Sequence, residues 1–139
     1  MKYMILSYAS QRDYDEMSGK PSEAPVWTPE DFASMGAFME AFNTQLAESG
    51  ELVETRALAA PVHTRRVSAG SDGNPVVTDG PYAEAQEVLA GYWIVDCESF
   101  DRATELAAKL AACPAPESVA ATAVADVRPI MESADDLAV

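Results

Sequence analysis

A helix over residues 28–50 is the clearest element that the hydrophobic pattern predicts. Thr28 is suited to cap its start, Pro29 to occupy its first position and Gly50 to end it. Five apolar residues, spaced by three or four positions, share one face of this helix: Phe32, Met35, Met39, Phe42 and Leu46. We expect this face to pack against a sheet rather than to hold a cofactor.

Shorter apolar runs predict six strands, over residues 1–8, 52–59, 63–69, 75–78, 89–96 and 119–128. Turn residues from Gly70 to Asn74 join the third and fourth strands into a hairpin. In the first strand, one face carries Lys2, Met4, Leu6 and Tyr8, and the other carries Tyr3, Ile5 and Ser7. Because both faces are largely apolar, we expect both to be covered.

A second helix is predicted over residues 100–113, with Ser99 as its cap and Pro114 beyond its end. Its expected buried face consists of Phe100, Ala103, Ala107 and Leu110. Residues 9–27 are polar and broken by glycine and proline, which predicts a long loop with a helical turn near residues 13–17. The acidic residues 133–139 predict a tail that frays.

The order of elements is strand, helix, two or three strands, strand, helix, strand. This order predicts an α+β fold, a ferredoxin-like sandwich with an inserted β-hairpin, in one domain over residues 1–132. Two helices cover only one face of such a sheet. We therefore expect a homodimer in which the uncovered faces of two copies meet.

The composition narrows the classes of partner and cofactor. Nine Lys and Arg stand against 23 Asp and Glu in 139 residues, and the net charge of −14 disfavours nucleic acids and anionic membranes. With a single histidine and two separated cysteines, Cys97 and Cys113, we expect no metal site. No cofactor-binding motif, signal peptide or membrane span is recognisable, so we expect a cytoplasmic protein without a cofactor.

Three arginines, Arg56, Arg65 and Arg66, are the only clustered basic residues. If the second and third strands pair, Arg56 and a hairpin arginine meet on one face and clamp an anionic substrate. The alternative is that these arginines form ion pairs with neighbouring acids such as Glu51 and Glu54.

Acid/base chemistry has two candidate positions. His63 is one, because imidazole accepts and releases protons near neutral pH, although a lone histidine can equally be structural. The other is the rigid turn that begins at Asp79, where Tyr82 and Glu84 add a phenol and a second carboxylate. In the alternative interpretation Asp79 caps backbone N–H groups and Tyr82 packs.

Five segments resemble the YCII-related, or DGPF-domain, proteins. The sequence DGPYAEAQE at residues 79–87 resembles the family signature DGPFAETKE. MKYM at 1–4, LAAP at 58–61 and GYWIV at 91–95 are similar to the opening strand, the LAPP segment and the aromatic-rich strand of that family. The pair at 113–114 and DVRPI at 126–130 resemble the ends of its second helix and last strand.

The resemblance implies a dimeric α+β barrel of cytosolic bacterial origin, in a family that is often of unknown function. Some members are thought to be enzymes that act on small molecules through a His–Asp pair, and others are associated with extracytoplasmic-function sigma factors. This chain has no histidine near its first strand, and Tyr82 stands where the family usually has Phe. Asp79, Glu84 and Arg128 are the positions that match the family and carry over.

Two functions stay open at this point, and the sequence does not decide whether the chain is an enzyme. The first is a small-molecule-binding homodimer with cofactor-free lyase or isomerase chemistry. Its catalytic residues are Asp79 and His63, and its substrate-binding residues are Tyr82, Arg56, Arg66, Arg128 and Glu84. The second is a non-catalytic regulatory or interaction module, linked to an extracytoplasmic-function sigma factor.

Overall fold

Six antiparallel strands form the framework of the computed structural model, which describes residues 1–20, 25–80, 83 and 85–138. They are β1 (Lys2–Ala9), β2 (Leu52–Ala57), β3 (Arg65–Ala69), β4 (Pro75–Asp79), β5 (Val88–Asp96) and β6 (Ala125–Pro129). Four of them make one sheet in the order β2-β5-β1-β6, and β3 pairs with β4 in a separate hairpin. The prediction of an α+β, ferredoxin-like fold with an inserted hairpin is therefore confirmed.

Four α-helices connect the strands: α1 (Gln11–Met17), α2 (Pro29–Glu48), α3 (Phe100–Ala108) and α4 (Glu117–Ala120). The start of α2 is as predicted. The Thr28 hydroxyl accepts from the Asp31 N–H, and the Asp31 carboxylate accepts from the Thr28 N–H. The helix ends one residue before Ser49, close to the predicted Gly50.

The core lies between one face of the main sheet and the helices. Tyr3 and Ile5 of β1 are buried there, with Ile5 fully inaccessible. The later part of the apolar stripe of α2 packs against the same face through Met39, Phe42 and Leu46, whereas Phe32 near the helix start stacks on Trp27. The Trp93 ring meets Phe42 edge-on at 5.5 Å, and its indole N–H donates to Asn43 Oδ1 at 2.7 Å. The one polar group that Trp93 brings to the core therefore has a hydrogen-bond partner.

The buried face of α3 differs in part from the prediction. Ala103 and Ala107 are buried as expected, but Leu106 takes the central position that the sequence analysis omitted. Phe100 is 45% exposed and contacts the Tyr3 ring edge-on at 5.3 Å. Because Phe100 is in the first turn of α3, its side chain lies at the edge of the core and is only partly buried.

The predicted strand over residues 119–128 is wrong in its first half. A short helix, α4, occupies Glu117–Ala120, and β6 begins only at Ala125. The alternation of apolar residues at 119, 121 and 123 suggested a strand, but four of the seven residues from 119 to 125 are alanine, the strongest helix former. Pro116 is the N-cap residue of α4, where its missing N–H removes no hydrogen bond from the helix.

Two further segments contain more helix than predicted. Residues 9–27 include the two-turn helix α1, which Ser10 and Asp13 begin with a reciprocal capping box. The acidic end of the chain forms a 3₁₀-helix over Ala134–Ala138 instead of fraying. There Asp136 accepts hydrogen bonds from the N–H groups of Glu132 and Ser133.

The hairpin β3–β4 is exposed along the whole of both strands, including Val67 and Val77. At its base the Gly80 N–H donates to the Thr64 carbonyl at 3.0 Å. A Cβ on Gly80 would lie 2.8 Å from the Thr64 Cβ and 3.4 Å from the Pro61 carbonyl oxygen. Glycine at position 80 therefore allows the hairpin to close against the preceding turn.

An ion pair joins the start of β2 to α3. The Arg102 guanidinium donates to both carboxylate oxygens of Glu51, each at 2.9 Å. These charge-assisted bonds hold the pKa of Glu51 below its ordinary value of 4.5.

We expect Gly80→Ala to lower the free energy of unfolding by about 1–3 kcal/mol, because the added methyl group overlaps Thr64. The matched control is Gly36→Ala, at an exposed site in α2 where no atom lies within 4 Å of the new Cβ. That change should raise stability by about 0.5–1 kcal/mol, because alanine favours a helix over glycine. Urea unfolding of both variants measures the difference, and equal stability of the two would contradict the packing described at Gly80.

The Glu51 pair predicts a specific pH dependence. A carboxyl group whose folded-state pKa is lowered contributes stability above its unfolded pKa and loses it as the pH falls through the folded value. The stability difference between the parent and Glu51→Gln should therefore be constant near neutral pH and shrink below 4.5. Glu105→Gln is the control, since Glu105 contacts Arg102 from a 66% exposed position. A Glu51 difference that stays constant down to about pH 3 would contradict this role.

Candidate functional site

An open cleft of about 240 Å³ lies at the end of the main sheet where β2 ends and β5 begins. Its walls come from residues 58–61, from Thr64 and from Val88 and Leu89; most of these side chains are apolar, but polar and apolar atoms share the surface of the cleft about equally. Among the described residues that line the cleft, His63 has the one ionisable side chain. The cleft therefore places an imidazole group beside apolar side chains.

Helix α1 fixes one wall of this cleft. The Tyr14 hydroxyl donates to the Leu58 carbonyl at 2.8 Å, and Gln11 Oε1 accepts from the Val62 N–H at 2.8 Å. Burial raises the pKa of Tyr14, so its phenol remains a donor at neutral pH. On the sheet side, the Leu58 N–H donates to the Ala90 carbonyl at 2.8 Å. The segment that carries His63 is thus held from both sides.

His63 and Asp79 lie on neighbouring stretches of backbone. His63 ends a 3₁₀ turn over Pro61–His63, so it precedes the strand on which the sequence analysis placed it. Asp79 is the last residue of β4 and pairs across the hairpin with Arg65. The Gly80–Thr64 hydrogen bond joins the residue after Asp79 to the residue after His63. This arrangement brings the two predicted acid/base residues to the same end of the hairpin.

Both Asp79 and His63 are exposed to solvent. No hydrogen bond joins the Asp79 carboxylate to another of the described residues, so within that part of the chain it does not cap a backbone N–H group. The exposed carboxylate is therefore accessible to a ligand. Tyr82 and Glu84, the other two candidates in this turn, lie outside the described residues.

The condition for a clamp between Arg56 and a hairpin arginine is not met. β2 pairs with β5, and β3 pairs only with β4 among the described strands. Instead, Arg56 Nη2 lies 3.4 Å from Glu54 Oε1. This contact is the ion pairing with a neighbouring acid that was expected as the alternative to the clamp. Arg66 lies across the hairpin from Thr78, on the face opposite to Asp79.

Arg56 and Arg128 share the uncovered face of the main sheet, on its two edge strands. Arg128 is opposite Met4, and Arg56 is opposite Tyr92. Three strand spacings separate the edge strands, which corresponds to roughly 14 Å. Neither arginine lines the cleft beside His63.

Two tyrosine–carboxylate pairs on the same uncovered face were not predicted. The Tyr8 hydroxyl donates to Asp126 Oδ2 at 2.6 Å, and the Tyr92 hydroxyl donates to Glu54 Oε2 at 2.9 Å. In each pair the hydrogen bond to the carboxylate raises the pKa of the phenol. The sequence could indicate only that these residues lie on one face of their strands, through the alternation of side chains. It could not indicate the two pairs, because the partners are more than 35 residues apart.

Metal and membrane signals are absent from the described part of the chain. No three His, Cys, Asp or Glu side chains gather there in a cluster that could hold a metal ion. Within the same residues, no helix combines the length and the apolar character needed to cross a bilayer.

Comparison with known proteins places the chain in a family. The model of the YCII-related domain matches residues 1–132. An uncharacterized protein of Rhizobium meliloti (strain 1021) is 28% identical over 110 residues, which cover 79% of this chain and 80% of that protein. The matched region includes the whole main sheet, the hairpin and the cleft. The chain therefore belongs to the YCII-related domain family.

Proposed function

We propose that this protein binds a small molecule in the cleft beside His63. The observation that carries the proposal is a cleft of about 240 Å³ in which apolar side chains, polar atoms and the imidazole of His63 line one surface. Pockets for drug-sized ligands enclose roughly 300–1,000 Å³ and combine apolar walls with few polar groups. A smaller cleft of the same character suits a compact organic molecule, such as one with a single ring.

The chemistry available at this cleft is proton transfer. His63 takes a proton from a carbon next to a carbonyl or carboxylate group, and Asp79 orients the resulting imidazolium or returns a proton. In an isomerisation the imidazolium gives the proton back to another carbon of the substrate. In an elimination the bond to a leaving group on the neighbouring carbon breaks, and the leaving group takes the proton. The protein is then a lyase or an isomerase that works without a cofactor.

An anionic substrate fits the charges near the hairpin base. Arg66 is the candidate arginine on the hairpin itself, and Tyr82 and Glu84 follow Asp79 in the same turn sequence. Arg56 and Arg128 contact such a substrate only if it reaches the uncovered sheet face. Arg66 lies on the hairpin face opposite to Asp79, so it contacts such a substrate only if the substrate reaches across the hairpin.

The proposed active form is a cytoplasmic homodimer. Met4, Leu6 and Ile94 form a half-exposed apolar strip on the uncovered sheet face. Covering this face with a second copy removes apolar surface from water, and a stable interface of this kind buries more than about 1,000 Å². Both cysteines, Cys97 and Cys113, are free thiols, which suits a reducing compartment.

Benzoate is a suitable first probe because it combines one ring with one carboxylate. We expect benzoate to shift the backbone amide NMR signals of Leu58, His63, Val88 and Leu89, the residues that line the cleft. Benzamide, which has the same shape without the charge, should bind more weakly. His63→Gln and Asp79→Asn should weaken binding of benzoate while their melting temperatures stay close to that of the parent.

Shifts confined to other surfaces, or equal binding by the parent and both variants, would contradict the cleft as the binding site. Lys109→Gln serves as a matched control, because it removes one exposed positive charge beyond the end of α3, and Lys109 is not among the residues that line the cleft. It should leave the benzoate shifts unchanged.

An interaction module is the second candidate, and the hairpin favours it. Val67 and Val77 are 64% and 58% exposed and lie opposite each other across the hairpin. A two-stranded hairpin is marginally stable alone and offers two open edges to a protein partner. Two results together would favour this function over the first. The parent would bind a protein partner but no small molecule, and the double variant Val67→Thr/Val77→Thr would no longer bind that protein partner.

A further inference from the structure

We infer that four charges at the corners of the uncovered sheet face form a self-complementary pattern that selects a second copy of this chain as its partner. The four residues are Arg56 and Glu54 on β2, and Asp126 and Arg128 on β6; we call them the corner charges. The inference rests on the homodimer proposed above. It adds which residues recognise the partner and why that partner is identical.

The strand register places the corner charges in two rows. Arg56 is opposite Tyr92, Tyr92 is opposite Leu6, and Leu6 is opposite Asp126, so Arg56 and Asp126 end one row.

In the next row Glu54 is opposite Ile94, Ile94 is opposite Met4, and Met4 is opposite Arg128. Directly opposite residues project from the same face of a sheet. The corners therefore alternate in sign around a rectangle of roughly 14 by 7 Å.

An alternating rectangle matches a copy of itself. When two such sheets stack with aligned strands, a two-fold axis parallel to the strands brings Arg56 over the partner's Asp126 and Glu54 over the partner's Arg128. An in-plane axis perpendicular to the strands brings Arg56 over the partner's Glu54 and Arg128 over the partner's Asp126. Either symmetry places opposite charges together at all four corners.

The two carboxylates are fixed before any partner arrives. The Tyr92 hydroxyl holds Glu54 at 2.9 Å, and the Tyr8 hydroxyl holds Asp126 at 2.6 Å. Fixing both carboxylates in the free chain reduces the entropy lost when the interface forms. Among the described residues, the other oxygen of Asp126 faces no arginine of its own chain at ion-pair distance, whereas Glu54 Oε1 already lies 3.4 Å from Arg56 Nη2, so in the dimer Glu54 shares this oxygen between its own Arg56 and an arginine of the facing copy.

The charge balance explains why this face, rather than another, suits a second copy. Two chains that each carry a net charge of −14 repel each other. The corner charges sum to zero, and they surround the apolar strip of Met4, Leu6 and Ile94. Two copies therefore meet here without adding like charges to the contact.

Two complementary variants test the inference. Arg56→Glu/Arg128→Glu makes all four corners acidic, and Glu54→Arg/Asp126→Arg makes all four basic. Each variant alone should be monomeric, with a dissociation constant at least about 100-fold above that of the parent, because like charges then face each other across the interface. An equimolar mixture should form a heterodimer with nearly parental affinity. Analytical ultracentrifugation measures all three samples, and circular dichroism checks that each variant is folded.

The controls separate charge pattern from net charge. Arg12→Glu/Arg65→Glu lowers the net charge by the same four units as the acidic variant but lies outside the sheet face, and it should remain dimeric. A third variant combines the substitutions of the acidic and the basic variants, so each of the four corner charges changes sign. It keeps the net charge of the parent and has an alternating pattern. That variant should dimerise with itself and not with the parent.

Two results would overturn the corner charges as the recognition pattern. In the first, the acidic variant and the basic variant each form a homodimer as stable as that of the parent. In the second, the equimolar mixture of the two variants stays monomeric. Leu6→Asp then shows which proposal has failed. If Leu6→Asp is monomeric, the homodimer through this face stands without the corner charges. If Leu6→Asp remains dimeric, or if the parent itself is monomeric, the proposed homodimer through this face is wrong as well.

Discussion

β1 lies between β5 and β6, and its pairing with both strands decides which side chains meet the helices and which face outward. Tyr3 and Ile5 enter the core, while Met4 and Leu6 lie on the opposite face beside Ile94 and Tyr92. Because side chains alternate along a strand, a one-residue slip of β1 would exchange the two sets. The buried volume of Ile5 makes such a slip costly.

The same pairing separates the two regions that carry the proposals. The end of the sheet formed by the start of β5 and the end of β2 holds the cleft with His63. The uncovered face holds the apolar strip and the corner charges. A ligand site at one end and a partner surface on one face can coexist because they use different side chains of the same strands.

Local patterns in the sequence were sufficient for the main sheet and for α2. Alternation in β1 and β5, and the three- and four-residue spacing in α2, each report burial directly. The same reasoning was wrong at residues 119–124, where alternating alanines fit a strand and a helix almost equally well. It also underestimated α1, although Ser10 and Asp13 have the spacing of a capping box.

The candidate site was predictable only in part, because it depends on contacts between distant residues. His63 and Asp79 were singled out by chemistry, and the hairpin places them on neighbouring backbone. The roles of Gln11 and Tyr14 in holding the cleft wall depend on contacts to Val62 and Leu58, more than 40 residues away. Arg56 and Arg128 were expected to bind a substrate, and the strand register places them on the two edge strands of the uncovered face, away from the cleft.

Hydroxyl-radical footprinting of methionines in the native protein tests most directly whether the uncovered face is an interface. Met4 lies on that face, and Met35 and Met39 lie on α2, behind the sheet. The account predicts that oxidation of Met4 slows as the protein concentration rises through the dimerisation range, while oxidation of Met35 and Met39 does not change. Slower oxidation of Met35 and Met39 with an unchanged rate at Met4 would contradict it.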